Sequence, residues 1–148
     1  MTPLSRAITI AVQAHDGQTD KAGQPYILHP LRVMLAMETE DDRIVAVLHD
    51  VIEDGTERDK GALVTVVNRL QFDAINTLSR PPGEPYADYI DLVSDDPLAT
   101  RVKLADLRDN LRPERAGALT DSHRRRYEDA LAKLEAVAGC LPKLREEK

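Results

Sequence analysis

The sequence predicts an all-α domain, a bundle of about seven or eight helices. Apolar residues recur every three or four positions along most of the chain, which is the spacing of helices with one buried face. Thr2-Pro3 and Asp96-Pro97 each join an N-capping residue to a proline at the first helical position. The β-branched run over 62–67 lies inside a helical pattern, so we predict no strand.

The first half of the chain is predicted to hold three helices. The first begins at Pro3 and is followed by a loop over 16–25, rich in glycine and polar residues. Pro30 opens the second helix, which covers 30–38. The third begins at position 41 or 42, runs through the sequence LHDVIED and is ended by a glycine.

The second half is predicted to continue as helices joined by short breaks. Thr56 and Asp59 form a weak capping pair before the next helix. The turn-rich sequence RPPGEP over 80–85 is a linker, and Asp96 caps the helix that contains the sequence KLADLRDN. We predict helices over 60–70, 72–78, 86–93 and 97–111, and a last helix capped by Asp121.

Composition excludes several classes of protein. The 148 residues predict one domain over 1–148, with a frayed C-terminal end over 142–148. The chain lacks a run of about 18 apolar residues, so we expect no membrane span, and we expect no signal peptide. Cys140 is the only cysteine, which favours a reducing cytoplasm. The net charge of −6 argues against nucleic acid as a partner.

The sequence LHDVIED at 48–54 places four polar residues in an otherwise apolar helix. On a helix His49 and Glu53 share one edge, as do Asp50 and Asp54. Two carboxylates on one edge repel each other unless a cation, a proton or solvent relieves them. A solvated polar face is the alternative, although acidic residues at the C-terminal end of a helix oppose its dipole.

Two further sites add weight to a metal centre. His29 stands among apolar residues before a proline, and Asp106 follows an apolar segment in which an isolated carboxylate is costly to bury. Together with His49 and Asp50 they predict one divalent ion held by parts of three helices. Imidazole and carboxylate ligands suit Mn²⁺, Fe²⁺ or Zn²⁺. A water bound to such an ion has a lowered pKa and can attack phosphorus.

The order of these motifs resembles that of the HD superfamily of metal-dependent phosphohydrolases. The sequences AHDGQTDKAGQPYILHPLRV, VLHDVIED and VKLADLRDN are similar to the hydrolase domain of RelA/SpoT proteins, and most to the small stand-alone alarmone hydrolases. The resemblance covers roughly residues 5 to 135. It implies an HD-domain helical bundle and a Mn²⁺-dependent guanosine-3′,5′-bis(diphosphate) 3′-pyrophosphohydrolase, which converts (p)ppGpp to GDP or GTP and pyrophosphate.

The resemblance also implies roles for particular residues. It makes His29, His49, Asp50 and Asp106 the metal ligands, with Mn²⁺ as the ion and Fe²⁺, Zn²⁺ or Co²⁺ as alternatives. It makes Glu53 and Asp54 the catalytic pair that positions or activates the attacking water. A small phosphorylated nucleotide is the expected partner, and a homo-oligomer is left open. The substrate-binding residues that it implies are Lys21, Asn110, Arg124 and Tyr127.

Two of the positions that depart from the family pattern keep other functions open. Asp20 replaces an arginine that packs on guanine in the family, and Asp109 replaces a histidine. The alternative substrates are therefore another nucleotide, such as pppApp or an NADPH-like molecule. An alternative of another class is a non-catalytic nucleotide-binding regulatory module. Intact Glu53 and Asp54 argue against that module, because binding alone does not need a water-activating pair.

Overall fold

The computed structural model describes residues 1–140, so the predicted fraying of 142–148 lies outside the described residues. Within that range the chain forms ten helical segments and no strand, apart from one isolated bridge between Thr19 and Pro25. The predicted all-α class is confirmed. The helices are α1 (Pro3–Ala14), α2 (Leu28–Leu35), α3 (Glu40–Leu48), α4 (Val51–Asp54), α5 (Glu57–Leu63), α6 (Arg69–Leu78), α7 (Tyr86–Ser94), α8 (Pro97–Asn110), α9 (Pro113–Ala116) and α10 (Asp121–Cys140).

Side-chain caps start several helices where the sequence predicts them. The Thr2 hydroxyl accepts a hydrogen bond at the start of α1, and the Asp96 carboxylate accepts two at the start of α8. Thr56 and Asp59 form a complete capping box at the start of α5. These caps satisfy amide groups that have no partner inside the helix, so the local sequence determines where these helices begin.

The predicted helix through LHDVIED is wrong in one respect, because it is broken in the middle. Helix α3 begins at Glu40, after the N-cap Thr39 and one residue earlier than the first predicted start, and it ends with His49 as its C-cap. Helix α4 begins after Asp50 as its N-cap. His49 and Asp50 therefore lie in the turn between two helices. They do not share one edge of a continuous helix with Glu53 and Asp54, although the sequence predicts that they do.

The predicted helix over 60–70 is also wrong, because α5 ends at Leu63 and a turn follows. Asn68 and Gln71 form a second capping box, in which each side chain accepts a hydrogen bond from the other residue's amide. That box begins α6 at Arg69 and so separates it from α5. At the last helix the hydroxyl of Thr120, and not Asp121, accepts from the amide of His123.

Helices α3 and α8 form the centre of the bundle. All five residues from Ile44 to Leu48 in α3 are buried, and α8 is buried on most sides by α2, α3, α6, α7 and α10. A helix that is covered all round can bury polar side chains only where they have partners. Lys103, Asp106 and Asp109 of α8 are such residues. Among residues 1–140, no helix has the length and apolar character needed to cross a bilayer.

Candidate metal centre and substrate cavity

Four residues from three parts of the fold meet at one end of the central helices. His29 comes from α2, His49 and Asp50 from the turn between α3 and α4, and Asp106 from α8. Side-chain atoms of His29, His49 and Asp50 lie within 4.8 Å of one another. The turn between α3 and α4 matters here, because it lets the neighbouring residues His49 and Asp50 direct their side chains into the same cluster.

The distances between these groups are short enough for one small cation to bridge them. The Asp106 Oδ1 atom lies 2.9 Å from His29 Nε2 and 3.6 Å from His49 Nε2. The Asp50 Oδ2 atom lies 3.0 Å from His49 Nε2 and 3.8 Å from His29 Nε2. Both imidazoles and Asp106 are buried, and Asp50 has 16% of its side chain exposed. The four predicted ligands are thus brought together.

Hydrogen bonds on the outer side of each imidazole fix its orientation. His49 Nδ1 lies 2.6 Å from the carbonyl oxygen of Ala46, and because a carbonyl oxygen can only accept, Nδ1 donates. His29 Nδ1 lies 2.6 Å from Asp109 Oδ2, which accepts in the same way. Each ring therefore directs Nε2 at the carboxylates, the arrangement that outer-shell acceptors impose on metal-binding histidines.

The donor set fits a divalent cation. His49 Nε2 is buried and has no hydrogen-bond partner among the described residues, although Asp50 Oδ2 is only 3.0 Å away. Burial acts to lower the pKa of His49, but the charges of Asp50 and Asp106 outweigh it and raise that pKa. The cluster therefore favours positive charge between imidazole and carboxylate, and a divalent ion would supply it at a mixed nitrogen and oxygen site.

The two predicted catalytic acids occupy different surroundings. Glu53 lines the cavity beside the metal site, and its Oε1 accepts a hydrogen bond of 2.6 Å from the backbone amide of Arg80. Burial raises the pKa of Glu53, and the Arg80 amide offsets part of that rise. The Asp54 side chain is exposed at the surface, and the pKa of its carboxyl is raised because neighbouring groups displace part of its water and because Asp50 is also negative. Asp54 is not among the described residues that line the cavity.

A cavity of about 310 Å³ opens onto the metal site. Of the predicted substrate-binding residues, Lys21, Asn110 and Tyr127 line it. Asn110 also donates to Asp106 Oδ1 at 3.0 Å, which fixes that carboxylate. Arg124 does not line the cavity, and its Nη2 donates to the carbonyl oxygen of Ala116, at the end of α9.

Sequence reasoning missed three residues that support the predicted metal ligands. The Tyr26 hydroxyl donates to Asp50 Oδ2 at 2.5 Å, and the Lys103 ammonium donates to Asp106 Oδ2 at 2.7 Å. Lys103 precedes Asp106 by three residues in α8, so helical spacing could have found it. Asp109 lies 80 residues from His29, and no local pattern could have paired them.

Asp109 is held by charge from several directions. It accepts from Arg32 Nε at 2.7 Å and from Arg115 Nη1 at 2.9 Å, in addition to its bond with His29. Burial acts to raise the pKa of Asp109, but the hydrogen bonds from His29, Arg32 and Arg115 outweigh it and lower that pKa. Asp109 therefore remains a carboxylate that can accept the Nδ1 proton of His29.

Comparison with known proteins gives relatives over most of the chain. No family model matches the sequence. The chain is 31% identical to a guanosine-3′,5′-bis(diphosphate) 3′-pyrophosphohydrolase of Vibrio cholerae in an alignment of 137 residues. This alignment covers 83% of this chain and 19% of that protein. It is 32% identical over 137 residues to the bifunctional (p)ppGpp synthase/hydrolase SpoT of Escherichia coli K12, with the same two shares. A GTP pyrophosphokinase of Streptomyces coelicolor is 33% identical over 124 residues, 76% of this chain and 15% of that protein.

The helical bundle and its buried histidine–aspartate cluster define a domain of the HD class. Within that class the chain is related to the RelA/SpoT proteins, as the sequence motifs predict. The chain spans about a fifth of the length of the curated relatives that it matches first.

Proposed function

We propose that this chain is a Mn²⁺-dependent phosphohydrolase that removes the 3′-pyrophosphate from (p)ppGpp. The observation that carries the proposal is His49 Nε2, a buried atom without a hydrogen-bond partner in residues 1–140, directed at two carboxylates beside a cavity. The names of the relatives from Vibrio cholerae and Escherichia coli support this substrate. Lys21 and Asn110 on the cavity wall support a phosphorylated ligand.

Four residues would hold the ion in this proposal, namely His29, His49, Asp50 and Asp106. Mn²⁺ is the proposed ion, with Fe²⁺, Zn²⁺ and Co²⁺ as alternatives for the same mixed donor set. The ion, when bound, supplies Lewis acidity that lowers the pKa of water and neutralises charge on phosphoryl oxygens. Tyr26, Lys103 and Asn110 fix the two carboxylates, so the donors keep their positions as charge changes during the reaction.

Glu53 is the proposed base of the reaction. Its carboxylate lies on the cavity wall, and one oxygen is held by the Arg80 amide. The other oxygen can accept a proton as water adds to the phosphorus bonded to O3′ of the ribose. The bond between that phosphorus and O3′ then breaks, and O3′ takes up a proton, so that pyrophosphate and GDP or GTP leave. Asp54 is proposed to assist by its charge alone, since the cavity wall does not include it.

One observation favours a second candidate, a phosphohydrolase of another nucleotide such as pppApp or an NADPH-like molecule. Asp20 Oδ1 accepts hydrogen bonds of 2.9 Å from the amides of Ala22 and Gln24. Asp20 therefore stabilises its own loop, and it cannot stack on a purine as a guanidinium does. A non-catalytic regulatory module is less well supported, because Glu53 lies at the cavity, where water activation needs it. A cytoplasmic location and the absence of a nucleic-acid partner stay predictions.

The test is a release assay on the purified protein with Mn²⁺, with ppGpp, pppApp and NADPH as parallel substrates. We expect pyrophosphate release from ppGpp that is lost when EDTA removes the metal. Phosphate release from NADPH, or turnover of pppApp alone, would support the second candidate. Bound metal without turnover of any of the three would favour the regulatory module.

A further inference from the structure

Arg115 of α9 is a cation on the wall of the substrate cavity that the proposed function does not use. It shares that wall with Lys21, Asn110 and three of the proposed metal ligands. Only 15% of its side chain is exposed. A guanidinium with so little exposure beside the proposed phosphohydrolase site has either a structural role or a ligand.

Two carboxylates hold the Arg115 side chain in place. Its Nη1 donates to Asp109 Oδ2 at 2.9 Å, and its Nε lies 3.7 Å from Asp20 Oδ2. Within residues 1–140 its Nη2 makes no hydrogen bond. The guanidinium is therefore oriented in advance on one side, while a donor remains for a ligand on the other side.

The charge of the cavity points to the kind of ligand. Four acidic residues line it, namely Asp20, Asp50, Glu53 and Asp106. Lys103 lines it too, but its ammonium is bound to Asp106 at 2.7 Å. A ligand with several phosphate groups therefore needs cations beyond the metal, and Arg115 and Lys21 are those that the described wall offers.

We infer that Arg115 is a substrate-binding residue that binds a phosphate group of the nucleotide through its guanidinium. This inference rests on the proposed function. It also gives one reason for two departures from the family pattern, because Asp20 and Asp109 are the two carboxylates that hold Arg115. Asp20 of the loop and Asp109 of α8 thereby hold the guanidinium of Arg115, which belongs to α9, at the cavity wall.

A purely structural role predicts something different. Asp109 also accepts from Arg32 at 2.7 Å and from Arg112 at 3.4 Å, and neither of these arginines lines the cavity. If Arg115 only neutralised Asp109, its removal would resemble removal of Arg112. Arg112 has 44% of its side chain exposed and serves as the matched control.

The experiment compares wild-type protein with Arg115→Met, Arg115→Lys and Arg112→Met. For each we would measure KM and kcat for ppGpp with Mn²⁺, the Kd of inorganic pyrophosphate, the Kd of Mn²⁺ and the melting temperature. A lost charge-assisted hydrogen bond should raise KM and the pyrophosphate Kd about 10-fold or more in Arg115→Met. We expect a smaller rise in Arg115→Lys, which keeps the charge without the planar fork, and no rise in Arg112→Met.

Two results would overturn the inference. One is a KM and a pyrophosphate Kd in Arg115→Met that equal those of the wild type. The other is loss of Mn²⁺ affinity and melting temperature with no change in KM, which a structural role predicts. If the wild type fails to hydrolyse ppGpp, the proposed substrate is wrong, and the pyrophosphate Kd still decides the role of Arg115.

Discussion

At the scale of single residues, the proposed metal site depends on groups that would not touch the ion. The outer nitrogen of each imidazole is bonded to an acceptor, Asp109 for His29 and the Ala46 carbonyl for His49. These bonds determine which nitrogen keeps the proton and where the other nitrogen points. A carboxylate acceptor also makes its imidazole a stronger donor to a cation than a carbonyl does.

The first prediction concerns this outer bond. Asp109→Asn keeps an acceptor oxygen near His29 Nδ1 but removes the charge, so we expect Mn²⁺ affinity to fall about 10- to 100-fold. Titration calorimetry with Mn²⁺ measures it. Asp42→Asn is the matched control, because Asp42 is another buried carboxylate that binds an arginine, Arg101, away from the site. Equal Mn²⁺ affinities in Asp109→Asn and wild type would contradict the positioning role.

The second prediction concerns Glu53. Glu53→Gln keeps an oxygen that can accept from the Arg80 amide but cannot take a proton from water. General-base catalysis contributes about 10²- to 10⁴-fold, so kcat should fall by that range while Mn²⁺ affinity stays unchanged. Steady-state kinetics on the substrate that the release assay identifies would measure it. Wild-type turnover in this variant would remove Glu53 from the mechanism.

At the scale of helices, caps and turns decide what the apolar pattern leaves open. The pattern over 60–70 is helical, yet the capping box of Asn68 and Gln71 begins a separate helix inside it. The break between α3 and α4 has no comparable cap, since the Asp50 side chain makes no capping hydrogen bond. Instead its Oδ2 accepts from the Tyr26 hydroxyl at the metal site. At most helix starts an N-cap aspartate accepts a hydrogen bond from an amide of the first turn. The Asp50 carboxylate does not do so and is therefore available to the proposed metal site.

The third prediction tests the cap of α6. Asn68→Ala removes the acceptor for the Gln71 amide, and the loss of such a cap costs about 1 kcal/mol. For a chain of this size we expect the melting temperature to fall by about 3 °C. Asn76→Ala, at an exposed position within the same helix, is the control that should not lower it. A thermal melt followed by circular dichroism measures both, and equal melting temperatures would contradict the role of the cap.

At the scale of the whole molecule, the proposed metal centre joins parts of the chain that are distant in sequence. One cation between His29, the His49–Asp50 turn and Asp106 would link α2, α3, α4 and α8. An ion that binds the folded chain and not the unfolded chain stabilises the fold by mass action. Metal content should therefore change stability as well as activity.

The fourth prediction follows from this linkage. Mn²⁺ at 100 times its Kd should add about 2.7 kcal/mol to the free energy of unfolding, and EDTA should reverse the gain. Asp106→Ala should abolish the gain, together with Mn²⁺ binding and turnover. Asp106→Ala alone leaves the buried Lys103 ammonium without its ion-pair partner, which destabilises the fold by itself. The double variant Asp106→Ala with Lys103→Met removes both charges and serves as the control for that effect. Full Mn²⁺ occupancy in either form would contradict the assignment of Asp106.

The sequence by itself determined the helical class, the starts of several helices such as α1, α7 and α8, and the residue types of the proposed metal site. Helical spacing, capping side chains and buried polar residues are local features, and each can be read over a few positions. Tertiary structure alone decided the turn at His49 and Asp50, the bond between His29 and Asp109, and the place of Arg115 on the cavity wall. These depend on which helices pack together. A pattern over a few positions cannot predict the hydrogen bond between Asp109 and His29, because the two residues are 80 positions apart in the sequence.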